Sequence, residues 1–91
     1  MSRPLRSILI GDTDHYSSEY IFGVAQGMMR LGHWHTSVSI RQPDGVIAHR
    51  VDQVAPDVIW GHMLLWPPAP ADRGQLLDIC AKWRRRGTRV I

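Results

Sequence analysis

The chain predicts an α/β domain, a parallel sheet flanked by helices, and three observations carry that prediction. Short apolar runs ending in turn residues alternate with stretches of helical period, three times over, before a last run "TRVI" opens a fourth strand. Glycine or proline punctuates nearly every junction. The junctions are short, and strands joined through helices must lie parallel.

The elements follow in order. "SILIGD" (Ser7 to Asp12) is a compact apolar run closed by a turn signal, as in a strand covered on both faces. In "SSEYIFGVAQGMMRLGH" the period changes, with Ile21, Val24, Ala25, Met28 and Leu31 on one face of a helix. Ser17 or Ser18 suits the cap, Glu19 the positive end, and Gly32 the left-handed position that ends the helix. "HTSVSI" alternates, with Thr36, Val38 and Ile40 sharing a face of a second strand. "RQPDG" reads as a turn, Val46 to Val54 as a weaker helix stopped by "APD", and "DVIWGHML" as a third strand. "WPPAPA" is a non-helical loop, because proline fixes φ and removes amide donors. Asp72 is placed to cap "RGQLLDICAKWRRR", whose inward stripe is Leu76, Ile79, Cys80 and Trp83, and Gly87 stops it. The expected sheet is Rossmann-like, of strand order 3-2-1-4, with the last strand at an edge and the sheet incomplete at the C-terminus.

Ninety-one residues make a single domain, here spanning 1–91. An apolar share of 44% and a charged share of 21% suit a packed globular chain and exclude a disordered one. Cys80 is the single cysteine, which rules out an internal disulfide and makes a reducing compartment, the cytoplasm, the expectation. No apolar run approaches the ~20 residues needed to span a bilayer. The net charge of +3 is concentrated in one corner, Lys82, Arg84, Arg85, Arg86 and Arg89. A nucleic-acid binder would carry a whole basic face with interleaved aromatics, so none is expected as a partner. The corner suits peripheral contact with an anionic membrane through Lys82, Arg84, Arg85 and Arg86, or simply offsets a helix macrodipole.

Ligands of such sheets sit beyond the carboxyl ends of the strands, where the strand order reverses. The predicted order puts that reversal between the first and fourth strands, within reach of "GDTDHYSS" and "GHMLLWPP". No G-x-G-x-x-G or G-x-x-x-x-G-K is present, which removes the dinucleotide and phosphate-loop readings. The third strand lacks the terminal aspartate of a receiver domain, and "DTDHYSSEY" departs from the D-x-H-x-x-G of a cobalamin module. No resident cofactor is expected. His15 stands just before the first helix, where an imidazole acts as a general base or helps bind an anion, with Asp12 and Asp14 to orient it. Equally, all three serve as solvated loop residues, Asp14 as a cap. His62 and Trp66 follow the third strand, and Trp66 either stacks on a sugar ring or closes the end of the core. His33 and His35 have the i, i+2 spacing of two ligands, but no cysteine pair accompanies them and no metal site is expected.

Taken together, the strand ending in Gly-Asp, "RLGHWHTSV", "VAPDVIWGHM" and "WRRRGTRVI" resemble the N-terminal domain of GT-B glycosyltransferases. The resemblance covers essentially the whole chain through short motifs. It implies two Rossmann-like domains about a cleft, the N-terminal one receiving the sugar acceptor. A C-terminal domain or separate subunit would bind the nucleotide sugar. In inverting members the resemblance makes His15 the base; in retaining members it sets Gly11 in a loop that approaches the donor phosphates. The residues themselves, read by position, put Asp12 beside His15 as its orienting partner and Asp14, His62 and Trp66 around the substrate. Gly11 matches the family's glycine-rich loop only in part, since the second glycine is absent. It also implies that the present chain does not catalyse transfer alone. A reading of another class is a non-catalytic module that forms a homo-oligomer, or docks, through its last strand.

Overall fold

The computed structural model describes residues 3–11, 19–61 and 74–91. Its elements run β1 (Arg6–Gly11), α1 (Glu19–Arg30), β2 (Trp34–Ser39), α2 (Asp44–Val54), β3 (Val58–Gly61), α3 (Gly74–Arg85) and β4 (Arg89–Val90). The four strands form one sheet in which every pairing is parallel, as the alternation of strand and helix requires.

The strand order is β2-β1-β3-β4, which corrects the expected 3-2-1-4. β3 lies against β1, not beyond β2, and β4 lies against β3, not against β1. Side-chain chemistry accounts for the difference. The expected order would have put β2, with His35, Thr36, Ser37 and Ser39, in the interior and β3 at an edge. Val58 and Ile59 are buried, and an apolar strand gains most where both faces are covered. The polar β2 takes the edge instead.

With right-handed crossovers, this order sends α1 to one face of the sheet and α2 and α3 to the other. The side chains agree. Ile8, Ile10, Ile59 and Val90 point to the face where Ile47, Val51, Leu76 and Ile79 of the helices complete the core. The alternate positions Ser7, Leu9, Val58 and Trp60 face the α1 side. The inward stripe of α3 is as expected, with Leu76, Ile79 and Cys80 buried and Trp83 packed partly against them. That of α1 is thinner. Met28 is buried, Ile21, Val24 and Ala25 are half-buried, and Leu31 is 73% exposed. Leu31 was expected to face inward; α1 is the only described helix on its face, and Leu31 lies over open groove.

Gly32 (φ 82) and Gly87 (φ 100) take the left-handed conformation expected at the ends of α1 and α3. The N–H of His33 bonds to the Met28 carbonyl at 2.9 Å, and that of Thr88 to the Trp83 carbonyl at 3.0 Å. Helix α2 starts earlier than its apolar period suggested, at Asp44 after Pro43, and closes on Ala55 in the same left-handed conformation (φ 49).

A candidate ligand crevice at the ends of the central strands

In this order the reversal falls between β1 and β3, neighbours whose outgoing connections lead to opposite faces. It does not fall between the first and fourth strands, as the expected order implied. Ile10 is in register with Gly61, so β1 and β3 end side by side on Gly11 and Gly61. Gly11 is buried, and its carbonyl accepts the Ile40 N–H at 2.9 Å. The Gly61 N–H donates to the Ile91 carbonyl at 2.8 Å. Both central strands thus end on backbone alone at the place where α/β sheets take their ligands.

Of the residues the sequence points to, Gly11 is the one the structure describes. Asp12, Asp14 and His15 follow it directly in the chain, and His62 and Trp66 follow Gly61; all five lie outside the described residues, as does the expected cap Asp72. Their two segments therefore leave from adjacent strands on the two sides of the reversal.

The same edge of the sheet holds a residue that sequence reasoning missed. Asp44, buried at the first turn of α2, accepts the N–H of Leu76 through Oδ2 at 2.8 Å. It supplies a cap to α3 from another helix and holds the N-termini of α2 and α3 together. Only the tertiary fold brings residues so far apart in sequence into contact, so local pattern gives no sign of it.

A second polar group lies on the α1 face, at the middle of the sheet. Ser7 is fully buried; its Oγ accepts Trp60 Nε1–H at 2.8 Å and lies 2.9 Å from His35 Nδ1. Besides accepting from Trp60, the Ser7 hydroxyl has both a proton to give and a second lone pair, so its bond to His35 Nδ1 forms with either imidazole tautomer. Burial lowers the His35 pKa below its ordinary 6.5, favouring the neutral ring. His33 is also engaged, its Nδ1 accepting the Leu5 N–H at 2.9 Å. Each of the two histidines therefore bonds within the fold, and no cluster of three or more potential metal ligands occurs among the described residues.

The basic corner lies at the opposite end of the sheet from the crevice, because α3 runs antiparallel to the strands and ends there. Lys82 Nζ meets Asp52 Oδ1 at 3.0 Å, Trp83 Nε1 donates to the same oxygen at 2.9 Å, and the Arg86 guanidinium stands 5.0 Å over the Trp83 ring. The hydrogen bond from Lys82 is the main cause holding the Asp52 pKa below its ordinary value. Lys82 and Trp83 thus join α3 to α2 through Asp52, Arg86 covers the Trp83 ring, and Arg84, Arg85 and Arg86 are all exposed. Cys80 is buried and its thiol pKa is pushed up by desolvation. Among the described residues no helix is long and apolar enough to cross a membrane.

Comparison with models of known families, with curated proteins and with solved structures finds no match to this chain.

Proposed function

We propose that the chain is the acceptor-side domain of a GT-B-type glycosyltransferase, working in the cytoplasm beside a nucleotide-sugar-binding domain or subunit. One observation carries the reading beyond motif resemblance. The two segments that bear the candidate residues both spring from the adjacent ends of β1 and β3, at the reversal of the sheet. The strand order is compatible with it. A 3-2-1-4-5 sheet without its third strand reads 2-1-3-4 in chain order, with the "PDVI" strand against the first.

In this reading the crevice receives a sugar acceptor. His15 takes the proton of the attacking hydroxyl as that oxygen bonds to the anomeric carbon and the nucleotide diphosphate leaves. Asp12 orients the imidazole, Trp66 stacks on the acceptor ring, and Asp14 and His62 bond its hydroxyls. Gly11 leaves room for close approach. Exposed Arg84 and Arg85 would face an anionic membrane at the far end.

Titrating the isotopically labelled chain with glucose, galactose and N-acetylglucosamine tests the acceptor side by amide shifts. Shifts are expected at Gly11, Ile40 and Gly61, lost in His15→Ala and Trp66→Ala. Calorimetry with UDP-glucose is expected to show no binding. Tight UDP-glucose binding by this chain alone, or sugar-induced shifts confined to the basic end, would overturn the reading.

A further inference from the structure

β2 is six residues long and ends the sheet, with no strand among the described residues beyond it. Its inward bonds are made by alternate residues: Trp34 N–H donates to Leu5 and Ile40 N–H to Gly11, both at 2.9 Å. The N–H and C=O groups of His35 and Ser37 therefore point away from β1. Proteins guard such edges with lysine, proline, a bulge or a covering helix. "WHTSVS" has neither lysine nor proline and pairs with β1 without a bulge along its whole length.

Apolar side chains flank this edge on both faces. Met28 of α1, and Leu31 just after it, line the groove over β3 and β4. At about 100° per residue, Met29 and Phe22 fall on the opposite flank of the helix, toward β2. They are 61% and 55% exposed. On α2, Ala48 and Asp52 face α3. Val46, 50% exposed, lies on the flank away from α3, and Trp34, equally exposed, stands at the start of β2 itself.

We propose that β2 is a homodimer edge: two copies pair their β2 strands antiparallel about a two-fold axis near Ser37, merging two four-stranded sheets into one of eight. A two-fold pairing of identical strands is self-complementary by construction, and it sets Phe22 and Met29 of one α1 against those of the other. Charge separates this edge from the opposite one. β2 has no acidic side chain, lysine or arginine, and its one histidine bonds inward to Ser7. At β4 the same operation would set Arg89 against its copy beside Arg84 and Arg85, and that strand is only two residues long. Size agrees as well. With aromatic side chains burying roughly 150–250 Å² each, the exposed halves of Phe22 and Trp34 contribute on the order of 200 Å² per copy, and Met29 and Val46 add to it. The paired backbone and helix flanks add toward the ~800 Å² per partner of a stable complex.

Sedimentation equilibrium on the whole chain tests this. A dimer is expected at about 100 μM, with Phe22→Glu weakening it by at least about tenfold through like charges set face to face. Ser37→Pro, which removes an outward N–H while sparing the bonds to β1, should leave a monomer. Should that variant fail to fold, Phe22→Glu, on an exposed helix flank, decides. Hydrogen exchange should show the His35 and Ser37 amides gaining protection as concentration rises. A monomer at all concentrations would overturn the proposal. So would a dimer indifferent to Phe22→Glu, or one abolished by Val90→Pro, since that would move the contact to β4.

Discussion

The two faces of the sheet are built differently. On the α2/α3 face, Ile8, Ile10 and Ile59 meet Ile47, Val51 and Leu76, all fully buried with no polar side chain among them. On the α1 face the sheet carries Ser7, His35 and Trp60 at its middle, and an open groove of about 540 Å³ runs from Met28 and Leu31 across to Arg89 and Ile91. Burial of apolar area is the main stabilising force in a domain this small, so the first face holds the fold together. Among the described residues the second has thinner packing, around a polar group, and leaves surface for contact.

A truncation on the core face should cost the most stability. Ile59 sits in a strand paired on both sides, is fully buried and belongs to the core that the side chains of α2 and α3 complete. Ile59→Ala should cost about 3–4 kcal/mol, a large part of a small domain's stability. Urea denaturation reads it directly, and Ile59→Val should lose only about 1 kcal/mol. A loss below that for the alanine variant would mean the core does not lie where we place it.

Next comes Asp44, at the rim of the same face. Asp44→Ala removes the acceptor for the Leu76 N–H inside the fold and should cost about 1–2 kcal/mol by the same denaturation experiment. Asp44→Asn keeps an oxygen acceptor and should lose less. Since this carboxylate ties α3 to α2, the loss should appear as early hydrogen exchange at the start of α3.

How far the sequence discloses this contrast depends on the range of the interactions. Alternation, helix stops at Gly32 and Gly87, and the stripe Leu76, Ile79, Cys80 are local patterns, and the structure follows them. Strand order is not local. It depends on which of two strands loses more at an edge, and the polarity of "WHTSVS" against the apolar "VIW" was the available sign. The Ser7–His35–Trp60 group arises from strand register alone, and the Asp44 bond to Leu76 from the packing of two helices. For the crevice, the sequence places its candidate residues immediately after Gly11 and Gly61, but only the strand order makes those glycines neighbours.

A smaller effect sharpens the α1 side. His35 has a folded pKa below its ordinary 6.5 because burial penalises the charged ring. As pH falls through 6.5 the unfolded chain takes up this proton before the folded one does. Its contribution is therefore intact above pH 6.5 and is lost as pH falls from there toward the folded pKa, levelling off below it. The urea midpoint should drop between pH 7.5 and pH 5, and His35→Gln should drop less over the same interval. Parallel pH curves for the two proteins would show that His35 does not feel its burial.

The smallest effect expected is at Leu31, and it tests the contrast from the side where intuition expects a loss. Leu31 is a leucine on the apolar period of α1, and periodicity alone would put it in the core, where truncation costs several kcal/mol. In the structure it is 73% exposed at the lip of the groove, so little area is withdrawn from water when the chain folds. Leu31→Gln should therefore change stability by less than about 0.5 kcal/mol, within the range of ordinary surface substitutions. A loss of 2 kcal/mol or more in a dilute monomeric sample would mean that the groove closes over Leu31 in solution. The two faces would then share one core, and the division of labour between them would fail.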